Sequence, residues 1–352
     1  MRRFELQTDR LSLRILARSD ITEFVRYRNV AEVARFQQWT LPYTRDLAHA
    51  LVDEMDRLDG PTPGEWLQIA VERRVDSQLV GDLAVWLDDA GTTAMLGYTL
   101  APEFQGHGYA TEAVAALVEA LFAGARRRPP VHRISATLDP ANGASARVLE
   151  ACGFTYEGTA RSAAFVRGEW SDDARFGLLR PDWEAWLARP TTSPHTFELS
   201  ELTNDDVRPL LRLGPAFSQR TMVSPIGVSL GEALLPPTED GHVVVPWYRG
   251  VRADGELVGF VMVAEPHPSV PHPYLWRLTI DRRHQLRGLG RRTVLAVAEH
   301  WSAAGATTLL VSFVPDLPGN PQRFYERLGF VPTGHVEDGQ IEAALDLTTR
   351  GG

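Results

Sequence analysis

What this 352-residue chain lacks already limits its possible functions. It has one cysteine, Cys152, which excludes an internal disulfide and any metal site built from several thiolates. It has no lysine, so all of its 36 basic residues are arginine. No run of about 18 consecutive apolar residues predicts a membrane span, and the N-terminus has no apolar core typical of a secretory signal. We therefore expect a cytoplasmic protein that binds neither a membrane nor a metal.

The net charge of −9 comes from an excess of acidic residues. Such a charge argues against nucleic acid as a partner, because binding to the phosphate backbone relies on basic surface. It suits an acceptor that carries positive charge. The length is sufficient for two average domains, and monomer and homodimer both stay open.

The chain repeats one order of predicted elements. Each half contains a pair of adjacent strands, a further strand that leads into a glycine-containing loop, and a helix that ends in Gly-Phe. In the second half, Asp254-Gly255 predicts the hairpin turn between the paired strands. A segment rich in Pro, Ser and Thr separates the halves. We predict domains at residues 1–188 and 197–352, with a linker at 189–196.

The two glycine-containing loops read FQGHGYATEA (104–113) and QLRGLGRRTV (285–294). Each opens a predicted helix, where unpaired N–H groups and the positive end of the helix dipole favour an anion. Glycine lets that anion approach the backbone. One such loop could equally be a tight turn without a ligand, but two copies at matching positions favour a phosphate-bearing ligand. Neither loop has the sequence of a Walker loop or a complete dinucleotide fingerprint.

Both halves resemble the GNAT family of N-acetyltransferases, whose hallmark is Gln/Arg-x-x-Gly-x-Gly/Ala between the fourth strand and the third helix. The N-terminal half resembles the ribosomal-protein alanine acetyltransferases (RimJ/RimL-like) in TDRLSLR, GYTLAPEFQGHGYATEA and HRISATLDPANGASARVLEACGF. The C-terminal half resembles bacterial polyamine-type acetyltransferases in YLWRLTID, QLRGLG and GNPQRFYERLGFVPTGHVEDGQI.

The resemblance implies an α+β fold of two tandem GNAT domains, each a mixed, mostly antiparallel twisted sheet flanked by helices. It implies acetyl-CoA as cosubstrate and an acetyl group transferred to a primary amine. The acceptor stays open between a small molecule, such as a polyamine or an antibiotic, and a peptide or protein N-terminus. One half or both halves could be catalytic.

The resemblance also implies the residues that bind the coenzyme. Asn142 is similar to the family Asn that caps the helix after the fifth strand, and Asn320 is comparable but has a shorter spacing to the Gly-Phe turn. The pyrophosphate loops consist of Gln105, Gly106, His107, Gly108, Tyr109 and Ala110 in the first half, and Gln285, Leu286, Arg287, Gly288, Leu289, Gly290 and Arg291 in the second.

Two hydroxyl groups are candidates to give a proton to the leaving thiolate. In the family, a Tyr four residues before the Gly-Phe turn often has this role, and the matching residue is Tyr325. The first half has Leu149 there, which cannot donate, and the RimL-like match is Ser145. Tyr325 could instead be a packing residue, and Ser145 a helix-start hydroxyl.

No residue stands out as the general base that would deprotonate the amine. The positions where relatives carry a carboxylate hold Met95 and Trp276. Deprotonation through water, or by Glu265 or Asp281, stays open.

The surroundings of the two loops differ. The second loop is flanked by Arg282, Arg283, Arg287, Arg291 and Arg292, whereas the first has only His107 between Glu103 and Glu112. We expect phosphate to prefer the second loop. The aromatic residues Phe36, Trp39 and Tyr43 line either an acceptor pocket or the ordinary core.

A second class of function also fits these residues: a non-catalytic acyl-CoA sensor or interaction protein. The absence of a carboxylate at Met95 and Trp276 supports it. Turnover in a free-thiol assay with a panel of amines distinguishes an enzyme from such a sensor.

The loops generate a test of which half is active. Gly108→Trp or Gly288→Trp should exclude the pyrophosphate from one half alone, because a large side chain there holds phosphate away from the backbone. Acetyl transfer by each variant is compared with wild type. If neither substitution reduces transfer, neither loop binds the coenzyme.

Overall fold

The computed structural model describes residues 3–124, 130–315 and 320–348. Gly319, the first residue of the GNPQRF motif, lies outside them. Contacts between Cα atoms divide the chain into two compact units, Met1–Ala188 (unit 1) and Arg189–Gly352 (unit 2). The segment predicted as a linker, 189–196, belongs to unit 2 in this division.

Unit 1 alternates strands and helices around one sheet. Its described elements are β1 (Glu5–Gln7), β2 (Leu11–Ile15), α1 (Ile21–Arg28), α2 (Ala31–Ala34), α3 (Arg45–Met55), β3 (Trp66–Arg73), β4 (Gln78–Leu87), β5 (Thr93–Leu100), α4 (Tyr109–Ala123), β6 (Arg133–Leu138), α5 (Gly143–Ala151), β7 (Thr155–Val166), β8 (Glu169–Leu179) and α6 (Arg180–Ala188).

Unit 2 repeats most of this order. Its described elements are β9 (Phe197–Ser200), α7 (Val207–Arg212), α8 (Ile226–Leu234), β10 (Thr238–Glu239), β11 (His242–Val243), β12 (Pro246–Ala253), β13 (Glu256–Ala264), β14 (Tyr274–Ile280), α9 (Leu289–Ala303), β15 (Thr308–Phe313), α10 (Gln322–Leu328), β16 (Val331–Glu337) and β17 (Gln340–Asp346).

Among the described residues, the main sheets of the two units share one strand order, except that β1 has no counterpart in unit 2. Within the described residues, the order is β1-β2-β3-β4-β5-β6-β8-β7 in unit 1 and β9-β12-β13-β14-β15-β17-β16 in unit 2. Neighbouring strands are antiparallel except for β5 with β6 and β14 with β15, which are parallel. The predicted α+β class, with mixed and mostly antiparallel sheets flanked by helices, is confirmed.

The predicted helix faces form the cores beside the parallel strands. In α4, Ala113, Val114, Leu117 and Leu121 are buried, and the helix ends before Gly124 as predicted. In α9, the buried face includes Val294, Val297, Ala298 and Trp301. This spacing of three and four residues is the helical period that the sequence carries.

The predicted hairpin of unit 2 turns at Asp254-Gly255. Both residues have positive φ, 53° and 83°, which is the backbone of a tight type I′ turn. The structure confirms this turn between β12 and β13. The Asp254 carboxylate also binds the segment that precedes β9. Its Oδ1 accepts hydrogen bonds from the N–H groups of His195 (2.8 Å) and Thr196 (3.0 Å).

A buried polar cluster joins α1 to the sheet of unit 1. The Asp82 carboxylate on β4 accepts hydrogen bonds from Tyr27, Arg28 and Gln68. Burial raises the pKa of Asp82 despite the nearby Arg28 cation. Because a buried carboxylate is costly unless it is paired, these three donors are what allow Asp82 to lie under α1.

A glycine in the sequence Leu-Val-Gly lets two strands approach closely in each unit. A Cβ on Gly81 would lie 2.2 Å from the carbonyl oxygen of Thr99, and one on Gly259 would lie 2.5 Å from that of Thr279. Both carbonyls belong to the strand that leads to the glycine-containing loop. The close approach therefore sets the position of that strand.

We expect Gly81→Ala to destabilise unit 1 by about 1–3 kcal/mol or more, since backbone must move to accept the Cβ. Gly97→Ala is the matched control, because a Cβ on Gly97 meets nothing within 4 Å. Its effect should stay within about 1 kcal/mol. The free energy of unfolding in urea measures both. Equal losses would contradict the proposed contact.

Candidate functional site

The parallel strand pair of each unit separates along its length. β5 pairs with β6 only from Thr93 to Met95, although β5 continues to Leu100. In unit 2 the pairing of β14 with β15 is reduced to Tyr274 opposite Leu310. The edges beyond these points face a wedge-shaped gap with unpaired backbone groups. In unit 2, Val263 pairs with Leu275 and Met262 pairs with Arg277, so Trp276 forms a bulge that further bends β14. In unit 1, β5 pairs regularly with β4.

The glycine-containing loop of unit 1 carries the chain from β5 into α4. Gly106 and Gly108 have φ of 77° and 79°, a conformation that favours glycine. The first backbone hydrogen bond of α4 runs from Glu112 N–H to the Gly108 carbonyl (3.1 Å). The N–H groups of residues 109–111 therefore have no partner within the helix. A Cβ on Gly106 would meet nothing within 4 Å, so the space over the loop is open.

Unit 2 has the same turn with one difference. Gly288 has φ of 77°, but the position of Gly106 is taken by Leu286, which adopts φ of 63° with a fully exposed side chain. Arg292 N–H makes the first helical bond to the Gly288 carbonyl (3.1 Å), which leaves residues 289–291 as free donors within α9. A Cβ on Gly290 would lie 3.4 Å from the Phe324 ring, an ordinary van der Waals contact.

Both glutamines of the motif brace the loop from within. Gln105 Nε2 donates to the Leu100 carbonyl (3.1 Å), and Gln285 Nε2 donates to the Ile280 carbonyl (3.0 Å). Each acceptor is the last residue of the splayed strand. The glutamine amides therefore hold the strand end against the turn, and their contact with a pyrophosphate stays a prediction.

The remaining loop side chains divide between surface and core. His107 donates from Nδ1 to the Gln105 carbonyl (2.8 Å), and its ring stacks on Tyr109 with centroids 5.9 Å apart. Ala110 is half-buried, whereas Leu289 is fully buried in the core of unit 2.

The expectation that His107 is the one basic group at the first loop is wrong. Arg10, which is 97 residues away in sequence, donates to the His107 carbonyl (3.0 Å) and pairs with Glu112 (2.6 Å). Its guanidinium lies 4.7 Å from the centre of the Tyr109 ring. Although burial raises it, hydrogen bonds from Thr8 and Arg10 hold the pKa of Glu112 below its usual value. The first loop thus has its own arginine.

The expected arginine cluster around the second loop also needs correction. The Arg287 side chain is buried and donates to the Thr192 carbonyl (2.8 Å), Asp254 (3.0 Å) and His284 Nδ1 (3.0 Å). Arg292 donates to the Pro194 carbonyl (3.1 Å). Both guanidinium groups therefore bind the segment before β9 and are turned away from an incoming phosphate.

Arg291 is the arginine of this loop whose exposed side chain lines a cavity of 1660 Å³ in unit 2. The cavity joins the turn at Gly288 to the bulged strand at Trp276, and reaches Asn320 and Tyr325 on the other side of the wedge. Unit 2 thus brings its predicted coenzyme loop and its predicted proton donor into one space.

Tyr325 lines that cavity and lies among three phenylalanine rings. Its ring stacks on Phe313 (centroids 6.0 Å apart) and meets Phe324 and Phe330 edge-on (5.1 and 5.3 Å). Burial raises the pKa of Tyr325 above its usual value, so the phenol keeps its proton at neutral pH. Asn320 Oδ1 accepts from Gln322 N–H (3.0 Å) at the start of α10.

Ser145 and Asn142 lie at the start of α5 in unit 1. Asn142 Oδ1 accepts from the Ser145 N–H (3.1 Å) and so caps the helix. The Ser145 hydroxyl lies 2.7 Å from the hydroxyl of Tyr98 on β5, a residue that the sequence analysis missed. The sequence feature that could have identified Tyr98 is its position on the splayed strand, seven residues before Gln105.

The candidate bases differ in their surroundings. Asp281 is buried, and it accepts from Arg283 Nε (2.8 Å) and the Gly214 N–H (3.2 Å), which argues against it as a base. Glu265 lines the cavity of unit 2. Its role as a base stays a prediction.

The three aromatic residues considered for the acceptor pocket have different environments. Trp39 and Tyr43 pack around the Arg28 guanidinium, 4.2 and 5.0 Å from their ring centres. Phe36 lines a separate cavity of 690 Å³ with Trp170 of the β7–β8 hairpin. Packing therefore accounts for two of the three.

Models of one family match both parts of the chain. The "Acetyltransferase (GNAT) domain" matches residues 10–155, and the "Acetyltransferase (GNAT) family" matches residues 224–330. Together they cover more than two thirds of the chain. It belongs to the GNAT acetyltransferase family. The tandem GNAT arrangement inferred from the repeated loops is confirmed.

Individual relatives of this GNAT protein match shorter stretches. The probable N-acetyltransferase YjcK of Bacillus subtilis is 37% identical over 111 residues, 31% of this chain and 59% of that protein. The ribosomal protein uS5–alanine N-acetyltransferase of Escherichia coli is 34% identical over 88 residues, 25% and 43% of the two chains. The chain thus spans about half the length of these curated relatives. The RimJ/RimL-like character of the N-terminal region agrees with the second of them.

Among solved structures, the ribosomal-protein-S5-alanine acetyltransferase of Vibrio fischeri is 22% identical. The likeness covers 51% of this GNAT chain and 98% of that one, at a TM-score of 0.45.

None of the helices in the described ranges is both long and apolar enough to span a membrane.

His284, which supports the second loop from inside, generates a prediction on pH. Burial lowers its pKa, and this outweighs the attraction of Glu256 and Asp281. A folded-state pKa below the unfolded value of about 6.5 means that the unfolded chain binds the extra proton first. The free energy of unfolding of wild type should therefore fall as the pH drops below about 6.5.

His284→Asn should lose less stability over the same pH range, because the amide oxygen can replace Nδ1 as acceptor for Arg287 without titrating. Urea unfolding at a series of pH values measures the difference between the two proteins. Identical pH dependence in the two proteins would mean that the folded imidazole protonates as readily as the unfolded one.

Proposed function

We propose that this GNAT protein is an acetyl-CoA-dependent N-acetyltransferase that acetylates a primary amine of a small molecule or peptide, with an active site in unit 2. We further propose residues 1–188 and 197–352 as its two GNAT domains and 189–196 as the linker. The observation that carries the proposal is the cavity of unit 2, where the amide-rich turn, the splayed strand and the Tyr325 phenol share one space.

The residues of both turns suit the diphosphate of a coenzyme. Free N–H groups at residues 109–111 and 289–291 lie at the positive ends of α4 and α9, each 15 residues long. The open space over Gly106 and Gly288 allows close approach to the backbone. Arg291 adds positive charge beside the turn of unit 2, whereas Arg10 beside the turn of unit 1 is paired with Glu112.

When bound, acetyl-CoA supplies a thioester whose carbonyl can accept an amine. The unpaired edge of β14 beyond Tyr274 offers backbone groups to orient a chain that enters the wedge. The Tyr325 hydroxyl holds a proton that it can donate to a sulfur leaving group. A cavity of 1660 Å³ exceeds a typical ligand pocket of about 300–1,000 Å³, so it has room for an acceptor beside the coenzyme.

A non-catalytic acyl-CoA sensor is the second candidate. Met95 and Trp276 stand where relatives carry a carboxylate, and the contacts of Asp281 leave it poorly suited to replace one. Binding of acetyl-CoA without release of free thiol on any amine would favour the sensor. Release of thiol with any acceptor favours the enzyme.

Tyr325→Phe tests the proposed proton donor. It keeps the ring contacts and removes the hydroxyl, so we expect kcat to fall about 10–100-fold with little change in the KM for acetyl-CoA. Since burial keeps the wild-type phenol protonated, deprotonation of Tyr325 should cause no loss of kcat with rising pH through about pH 10.

The matched control is Tyr248→Phe, on a half-exposed tyrosine of β12 that does not line the cavity. It should leave thiol release unchanged. If Tyr325→Phe has wild-type kcat, Tyr325 is a packing residue and the proton comes from elsewhere.

A further inference from the structure

The two units supply hydroxyl groups to their wedges from different elements. Tyr325 lies four residues before Gly329, and the corresponding residue of unit 1 is Leu149, four before Gly153. Leu149 is buried and has no group that could donate a proton. Unit 1 therefore lacks the phenol of α10, and its wedge needs another donor if it is to serve the same chemistry.

On the splayed strand and at the start of the next helix, it is unit 1 that has the hydroxyl groups and unit 2 that lacks them. Tyr98 lies seven residues before Gln105, where unit 2 has Leu278 before Gln285. Ser145 lies eight residues before Gly153, where unit 2 has Pro321 before Gly329. Leu278 and Pro321 both line the cavity of unit 2 together with Tyr325. By sheet register and spacing, Tyr98 and Ser145 occupy in unit 1 the positions that Leu278 and Pro321 occupy in unit 2.

The contact between these hydroxyl groups has a defined geometry. Tyr98 Oη lies 2.7 Å from Ser145 Oγ and 2.9 Å from the Ser145 carbonyl oxygen. The carbonyl can only accept, so Tyr98 can donate to it while Ser145 donates to Tyr98. Alternatively, Tyr98 donates to Ser145 Oγ, and the Ser145 proton is then free for another acceptor.

We propose that Tyr98 is a positioning residue of unit 1, which acts through Ser145 to direct the serine proton at the sulfur of the coenzyme. An anionic sulfur beside Ser145 favours the second arrangement, because it attracts the serine proton while Tyr98 donates to Oγ. Tyr98 keeps its own proton throughout, and no covalent bond forms or breaks within this pair. The inference rests on the proposed binding of acetyl-CoA, and it makes unit 1 a second coenzyme site.

The surroundings keep Tyr98 in the protonated form that this arrangement requires. Burial raises the pKa of Tyr98 above its usual value, whereas the hydrogen bond with Ser145 opposes the rise. The Asn142 cap fixes the backbone N–H of Ser145. The serine hydroxyl is thus held between a rigid helix start and a phenol that remains a donor.

The ionisation of the thiol of bound coenzyme A tests the proposal without knowledge of the acceptor. Full-length protein with Gly288→Trp, which blocks the turn of unit 2, is loaded with one equivalent of coenzyme A. The ultraviolet absorbance of the thiolate is then followed with pH against the same protein without ligand. Burial raises the pKa of Cys152 to about 12, so the single cysteine does not contribute below pH 10.

We expect the bound thiol to have a pKa below the free value of about 8.5. Tyr98→Phe should raise that thiol pKa by about one pH unit, and Ser145→Ala by at least as much. The double variant should go no further than Ser145→Ala, because the tyrosine acts through the serine. The Kd for acetyl-CoA should stay within about threefold of that of the parent, since a thioester carries no thiolate.

Tyr156→Phe is the matched control, because its hydroxyl contacts Thr159 (2.7 Å) on the exposed β7 strand. It should leave the thiol pKa unchanged. If Gly288→Trp does not fold, Gly288→Asp replaces it, since aspartate tolerates this backbone better and its charge repels phosphate.

Each other result has one meaning. An unchanged thiol pKa in Tyr98→Phe with coenzyme bound overturns the role of Tyr98 and leaves the proposed function intact. If wild type binds coenzyme A and the variant blocked at Gly288 does not, unit 1 is not a coenzyme site. Absence of binding by wild type overturns the proposed function itself.

Discussion

Both candidate sites depend on the early separation of one parallel strand pair. Strands normally satisfy their backbone groups across a sheet, so a pair that parts after one to three residues leaves donors and acceptors open to a ligand. The strand that leaves the pair ends in a turn whose next element is a helix start. Unpaired strand backbone and unpaired helix N–H groups are therefore placed side by side without any particular side chain.

The surrounding residues hold this geometry in place. Gly81 and Gly259 let the neighbouring strand approach the splayed one from behind, and Gln105 and Gln285 tie its end to the turn. These contacts are the same in both units, although most other residues differ. The common part of the site is a backbone arrangement, and a backbone arrangement tolerates extensive change in the side chains around it.

The side chains that bear on chemistry differ between the units. Unit 2 has a phenol on α10 together with Leu278 and Pro321, whereas unit 1 has Tyr98 and Ser145 together with Leu149.

The two units also stabilise buried charged side chains in different ways. In unit 1, Asp82 is satisfied by three donors under α1. In unit 2, Arg287 links the glycine-containing loop to Asp254.

The amino-acid sequence by itself determined the buried faces of α4 and α9, the duplicated order and the hairpin turn at Asp254-Gly255, and the family resemblance implied the cap at Asn142. These features follow from interactions within a few residues, such as helical period, positive φ and side-chain capping. The roles assigned to Tyr325 and Ser145 remain predictions. Only the tertiary structure decided that Arg10 reaches the first loop, that Arg287 turns inward and that Tyr98 meets Ser145. The hydrogen bonds of these long side chains join residues 33 to 97 positions apart in the sequence. Such bonds depend on which strands and helices become neighbours once the sheet has formed.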